Sequence, residues 1–415
     1  MKVLFDISVL GYGALRPALR TGVYRATERL AEALVTAKTA DLCFCASDSP
    51  SAWALSFDYW KTGKVRELPF LPRPTFGNCF VPSVNQLTRL NTVHEASLNT
   101  RVARRLLREI AKWTEPKEKA LLNISKGSVF HSPFYPLKRI SEKASRVLSI
   151  YDIIRLTHPE TNNGNGDFLK EIVTSLEKDD WTVCSSDWTR DELLNYRKGL
   201  NEKRVVVIPL GVDDSFAPSS GDEISEVRKK YQIGNNPYFL GVSTSEKRKN
   251  FPFLIRAFQQ FIKKRPESDV KLILVGAFGE TISEIRKIIS SGFEDRVVLT
   301  GFVPDTALAP LYSGALAFTY PSLYEGFGLP PLEAMACGCP VLAGLGSSLT
   351  EVVGAGGQLI DPRSEEAWVD AMEKLYDSPS EIEGWRKKGL AWVKNFTWQK
   401  CASEHSKLYR LASQA

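Results

Sequence analysis

The run from Thr319 to Pro340 constrains the fold more than any other. An apolar segment from Ala315 to Tyr320 reads as a buried strand, Pro321-Ser322 breaks it into a turn, and a Glu325-Gly326-Phe327-Gly328 loop leads into a helix. Pro330 and Pro331 suit a first helical turn, where a missing N–H costs nothing; Leu332 to Ala336 are good helix formers, and Gly338 is a stop. Glu325 therefore sits just before a helix N-terminus and Glu333 about one turn inside it. The glycines leave backbone amides free to meet a ligand. Carboxylates accept hydrogen bonds from sugar or ribose hydroxyls and the positive helix end faces anionic oxygens, so the pattern suits a polyhydroxylated, phosphorylated molecule. The bland alternative is a strand-to-helix turn with two solvated glutamates.

The rest of the chain repeats the same alternation. Lys2 to Leu10 reads as a first strand, followed by Gly11-Tyr12-Gly13 and a loop to Arg20-Thr21-Gly22; Val23, Ala26, Leu30 and Leu34 then mark one face of a helix. Strand, Gly-bearing loop, helix is the opening of a doubly wound α/β domain. Residues 48–85 are rich in Pro, Ser and aromatics with poor periodicity and read as an excursion from that domain. Asp214 to Asp222 is small, polar and Pro/Gly-bearing, as a linker is. A second α/β alternation starts at Tyr238: a strand to Val242, the turn Ser243-Thr244-Ser245-Glu246-Lys247-Arg248-Lys249-Asn250, and a helix with Phe253, Leu254, Ala257, Phe258 and Phe261 on one face. Consecutive cations between a strand end and a helix start suit a diphosphate, the guanidinium as a fork and the ammonium as a point charge; a solvated basic turn is the plainer reading. At 415 residues the chain is too long for one ordinary core.

Several classes are disfavoured. No run of about 18 apolar residues exists, so no transmembrane helix is expected, and the N-terminus enters a strand pattern without the order of a signal peptide. The expectation is a cytoplasmic protein. Seven cysteines, Cys43, Cys45, Cys79, Cys184, Cys337, Cys339 and Cys401, lack C-x-x-C spacing and read as reduced core thiols. A net charge of +6 is too mild to require nucleic acid, and none is expected as a partner. Residues 101–113 carry five basic residues against one acid, with Val102, Leu106, Ile110 and Trp113 at helical spacing. That helix is either a solvated face or a peripheral contact to the inner face of a membrane.

The run from Glu325 to Glu333 resembles the E-x7-E signature of retaining GT-B glycosyltransferases of family 4, and Arg248-Lys249-Asn250 resembles that family's R-K-N motif. Thr21-Gly22-Val23-Tyr24-Arg25 is similar to its T-G-I-x-R opening, Thr182 to Thr189 to its V-x-V-S-x-x-S/T segment, and Ile208 to Asp213 to its I-P-L/N-G-V-D boundary. The resemblance spans nearly the whole chain except about residues 40–125. It implies α/β architecture with two Rossmann-like doubly wound domains facing a cleft: 1–213 on the acceptor side, 214–397 binding the nucleotide sugar, and a last helix, 398–415, packing back on the first. It further implies a retaining transfer of a hexose or deoxyhexose from a nucleoside-diphosphate sugar, GDP-mannose first, to a saccharide or lipid-linked saccharide, with no cofactor and no metal. Arg248, Lys249 and the Gly22 backbone would face the diphosphate; Glu325 with the Gly326, Phe327 and Gly328 backbone the sugar; Glu333 the ribose; Phe302 and Val303 the nucleobase. Ser243 and Thr244 stand where some relatives place another arginine. Tyr151 stands where the family has a histidine that approaches the donor sugar; either Tyr151 takes over that contact or the sugar sits differently, and His158 and His131 are the other candidates. A non-catalytic nucleotide-sugar binder and a nucleotide-sugar epimerase of the same fold remain open alternatives.

Overall fold

Among the described residues every strand pairs in parallel with its neighbours, as near-continuous apolar strands joined by helical crossovers do. The computed structural model describes residues 1–15, 22–38, 40–48, 50–63, 65–66, 68–71, 124–139, 141, 143–161, 166–243, 246–290 and 292–415. The basic stretch 101–113, Thr21, Cys79 and Thr244 lie outside them. Among the described residues there are two six-stranded sheets. The first contains β1 (Lys2–Asp6), β2 (Asp41–Cys45), β3 (Ser128–Ser132), β4 (Ala144–Ile150), β5 (Trp181–Cys184) and β6 (Val205–Val207), in the order β2-β1-β3-β4-β5-β6. The second contains β7 (Tyr238–Val242), β8 (Lys271–Val275), β9 (Val297–Gly301), β10 (Ala317–Tyr320), β11 (Val341–Gly344) and β12 (Gln358–Ile360), in the order β12-β11-β10-β7-β8-β9. In such a sheet a ligand meets the carboxyl ends of the strands where the order reverses. In the second sheet that point lies between β7 and β10, whose following loops carry Arg248-Lys249 and Glu325.

Two local expectations are corrected. The first strand ends at Asp6 rather than Leu10, and Ser8–Leu15 is a helix containing Gly11, Tyr12 and Gly13. The buried Asp6 carboxylate turns the chain by accepting from the Ser8 amide (2.7 Å) and from the Ser47 amide (3.1 Å). The glycines there serve close packing: a Cβ on Gly11 would lie 2.5 Å from the Ser56 nitrogen, and one on Gly13 would lie 2.1 Å from the Tyr24 ring. Within the excursion at 48–85, Pro50–Thr62 is helical. Trp53, Phe57 and Trp60, at helical spacing, stack in sequence and close on Phe70, with centroids 5.1–5.8 Å apart.

The final helix, Trp398–Gln414, lies against the helix Gly22–Ala37 and against β3 and β4. It reaches them because Val212 pairs with Thr397, and Gly211 lets the backbones approach: a Cβ there would be 2.2 Å from the Trp398 nitrogen. One apolar cluster therefore runs from Val3 and Phe5 through Phe318, Tyr320 and Phe327 to Trp398 and Tyr409. Among the described residues six cysteines are buried and unpaired, and no helix is long and apolar enough to cross a membrane.

Under the last helix, His131 is fully buried, with Nδ1 2.7 Å from the Tyr409 hydroxyl and Nε2 2.8 Å from the Ser149 hydroxyl. Its ring stacks on buried His405, whose Nε2 meets no partner among the described residues. Burial pulls His405 down to about 4 and His131 well below its ordinary value, with His405 adding to the latter. The unfolded chain takes up both protons near pH 6.5, so stability is whole above that pH and falls as pH drops from about 6.5 toward 4. His405→Leu is expected to flatten that fall and to keep or raise the melting temperature at neutral pH, since it removes an unpaired buried nitrogen worth about 1 kcal/mol or more. Thermal unfolding at neutral pH and near pH 5 checks it; a variant as acid-sensitive as the wild type would contradict it.

Candidate active site

Between β7 and the helix Phe251–Lys264 the chain makes a tight turn over Lys247–Lys249 and stops it with Asn250 at φ 60°. That places Arg248 and Lys249 over the end of β10. The loop after β10 is tied to this turn, because the Leu323 amide donates to the Arg248 carbonyl (2.8 Å). Glu325 closes the arrangement and is 6 % exposed. Its Oε1 accepts from Lys249 Nζ (2.7 Å), the Tyr320 hydroxyl (2.8 Å) and the Ser322 hydroxyl (2.6 Å), and its Oε2 lies 2.7 Å from Arg248 Nη1. Arg248 also pairs with Glu246 at 2.5 Å. Burial alone would raise the Glu325 carboxyl, but Arg248 and Lys249 outweigh it and hold it at about 2. Lys249 is pulled below its ordinary value by burial and by the neighbouring guanidinium, with Glu325 opposing. Asp152 of the first half faces the same cluster: burial raises its carboxyl, Arg248 lowers it, and Glu325 raises it further.

Gly328 caps the next helix, Leu329–Ala336, at φ 106°, with the two prolines in the first turn as the sequence predicts. Glu333 is 3 % exposed. Its Oε1 accepts from Arg25 Nη2 at 2.8 Å and its Oε2 lies 3.4 Å from the Tyr312 hydroxyl. Burial pushes this carboxyl up, and Arg25 opposes. Neither glutamate is the solvated residue of the bland alternative.

The loop itself is clamped to the first half. The Gly326 carbonyl accepts from the hydroxyls of Ser186 (2.7 Å), Ser185 (3.0 Å) and Thr189 (3.1 Å). The Glu351 carboxylate caps the helix Asp187–Tyr196 by accepting from the amides of Asp187 (2.9 Å) and Trp188 (3.0 Å). The His158 ring stacks on Tyr324, centroids 3.8 Å apart, and its Nε2 lies 3.4 Å from Glu192.

The structure thus brings together Glu325, Arg248, Lys249 and the Gly326-Phe327-Gly328 backbone, with Glu333 one helical turn on. It does not bring the Tyr151 phenol to them. That hydroxyl meets Thr27, with Cys401 and Tyr409 beside it, and burial raises its pKa; it is the Tyr151 carbonyl that lies against the loop, 2.1 Å from where a Cβ on Gly326 would stand. His131 is spent on Tyr409 and Ser149, which leaves His158 as the histidine at this cleft among the described residues. Gly22 opens its helix, and no described residue lies within 4 Å of where a Cβ on it would stand. Ser243 donates its amide to Val275 at the end of β8. Phe302 is 84 % exposed after β9, and Val303 is buried. Sequence reasoning assigned no role to Arg25, Asp152, Tyr312, Tyr320, Ser322 or Glu351. Arg25 lay in the T-G-I-x-R match and Ser185 and Ser186 in the V-x-V-S match, so a signal existed for those; partners such as Arg25 and Glu333, 308 positions apart, carry none.

Two largely buried cations held by one carboxylate at the carboxyl ends of β7 and β10 can accept a dianion and hydroxyls side by side. A profile of the family described as Glycosyl transferases group 1 matches residues 223–392. The chain is 33 % identical over 317 residues to O-antigen chain mannosyltransferase B of Escherichia coli, covering 74 % of this chain and 80 % of that one. It is 28 % identical over 259 residues to serotype-specific mannosyltransferase WbdA of Escherichia coli, 61 % of this chain but 32 % of the relative. Among solved structures, a glycosyltransferase from Rickettsia africae ESF-5 superposes with a TM-score of 0.66 at 16 % identity, over 99 % of this chain and 98 % of that one.

Proposed function

The chain belongs to the group 1 glycosyltransferases of GT-B fold, and from that premise we propose that it is a retaining enzyme moving mannose from GDP-mannose to a saccharide or lipid-linked saccharide acceptor. The observation that carries the reading is the pairing of Arg248 and Lys249 with Glu325 at the reversal point of the second sheet. The E-x7-E and R-K-N matches support the donor class, and the mannosyltransferases among the similar proteins favour mannose.

Transfer breaks the bond between the sugar anomeric carbon and the diphosphate oxygen, and negative charge grows on that oxygen. Arg248 and Lys249 stabilise it, the largest electrostatic task in the step. Glu325 accepts from sugar hydroxyls and Glu333 from the ribose. The acceptor oxygen bonds to the anomeric carbon from the face the diphosphate leaves, and its proton goes to a diphosphate oxygen, so configuration is retained without a separate protein base. With two cations at the diphosphate, the chemistry is expected to run without a metal.

The test is thermal unfolding with GDP, UDP, dTDP, CDP and ADP, with and without EDTA, beside Arg248→Ala and Glu333→Ala. A nucleotide at about a hundred times its Kd adds roughly 2.7 kcal/mol, a shift of a few degrees. GDP is expected to stabilise the wild type more than either variant, with EDTA changing nothing. If no nucleotide shifts the wild type, the donor reading fails.

A further inference from the structure

Arg25 lies one turn into the helix Gly22–Ala37, in the first half, yet its charge is spent on the second. Its Nη2 is 2.8 Å from Glu333 Oε1, its Nε is 3.8 Å from Asp305, and its guanidinium lies 5.6 Å from the Phe216 ring centroid. Glu333 needs such a partner. It is buried on the helix Leu329–Ala336, and the groups facing it from its own half are Asp305, a like charge, with the Tyr312 hydroxyl and the Cys337 thiol, neither of them a cation. Among the described residues Arg25 is the cation that ion-pairs with it. A buried carboxylate without a counter-charge takes up a proton instead of staying ionised, and a neutral carboxyl is the weaker acceptor for hydroxyls. Beside the pair, a cavity of about 20 Å³ lined by Arg25, Arg29, Asp213, Leu329, Glu333 and Trp398 leaves room for about one water-sized polar group.

We propose that Arg25 is a positioning residue for the nucleotide: reaching across the cleft, it holds Glu333 as an aimed, charged carboxylate for the ribose hydroxyls of a nucleoside diphosphate. The first half then contributes to donor binding through Glu333 rather than through the phosphates. This rests on the reading of Glu333 as the ribose acceptor. The rival is a direct contact between Arg25 and the diphosphate.

Isothermal titration with GDP and with its 2′,3′-dideoxy analogue separates the two, using the wild type, Arg25→Ala, Arg25→Lys, Glu333→Gln and the Arg25→Ala/Glu333→Gln double variant. Arg25→Ala is expected to weaken GDP about tenfold at pH 8, the loss of roughly one charge-assisted hydrogen bond. The loss should grow toward pH 6, where the unpaired Glu333 takes up a proton, while the wild type stays flat. Arg25→Lys should recover part of the affinity. The dideoxy analogue should bind the wild type and Arg25→Ala alike, and Arg25→Ala should cost nothing further on the Glu333→Gln background. That double variant removes both charges and so reports even if Arg25→Ala alone folds poorly. Additive losses, an equal loss with the dideoxy analogue, or a loss independent of pH overturns the proposal and leaves the donor reading standing. A wild-type protein that binds no nucleoside diphosphate overturns both.

Discussion

Glu325→Gln is expected to destabilise the empty protein by about 3 kcal/mol and to cut sugar transfer at least about a hundredfold, while the variant still binds bare nucleoside diphosphate. The stability loss follows from what remains: Arg248 and Lys249, with side chains only 12 % and 11 % exposed, lose the carboxylate between them, so folding leaves two neighbouring cations unpaired or draws the proton off Lys249, which burial and Arg248 already pull down. Glutamine preserves the shape, so the effect is electrostatic rather than a cavity. A diphosphate then becomes the replacement anion, so GDP should stabilise the variant more than it stabilises the wild type. The activity loss follows from the missing acceptor for sugar hydroxyls. The same carboxylate sets an acid limit. Its pKa is held at about 2, below the ordinary 4.5, so its stabilisation is whole above about pH 4.5 and is lost as pH falls toward 2. Denaturant unfolding and titration with GDP check this; a variant as stable as the wild type that transfers sugar normally would contradict it.

Gly326→Ala is expected to force the two halves apart and to lower transfer about a hundredfold with the donor half still folded. A Cβ at Gly326 would stand 2.1 Å from the Tyr151 carbonyl oxygen and 2.4 Å from Asp152 Cβ, both of the first half. Backbone cannot yield there as a flexible side chain would, and overpacking of this kind costs about 1–3 kcal/mol. The cheapest relief is to release the Gly326 carbonyl from Ser185, Ser186 and Thr189 and to open the cleft. Small-angle scattering should show a larger radius of gyration than the wild type, with GDP affinity lowered about tenfold, as in Arg25→Ala, because opening the cleft draws Arg25 off Glu333 while Arg248, Lys249 and Glu333 stay on their own elements. An unchanged radius with full activity would show that the clamp does not matter.

What was legible in the sequence was what neighbours in the chain decide. Pro330, Pro331 and Gly338 announced the helix that carries Glu333, and Phe253 to Phe261 the helix behind Lys249, because helix signals and apolar periodicity act within a few residues. The Arg248-Lys249 turn and the Glu325 loop were readable as site elements, yet their ion pair was not, since it depends on β7 and β10 being neighbours. Ser8–Leu15 was misread because its apolar residues run together without a helical stripe, and only the Asp6 turn separates it from β1. Tyr151 was read as a cleft residue from its place in a motif; rotation of its phenol toward Thr27 depends on the final helix arriving from the other end of the chain.

The most direct test is to mix the protein with a panel of nucleotide sugars, GDP-mannose first, and with mannose-terminated oligosaccharides, free and lipid-linked, following nucleoside diphosphate release and the anomeric configuration of the product by NMR. The account predicts GDP release that depends on the acceptor, one new glycosidic bond with the donor's configuration kept, and loss of both in Arg248→Ala. No release from any nucleotide sugar, or a product of inverted configuration, would contradict it.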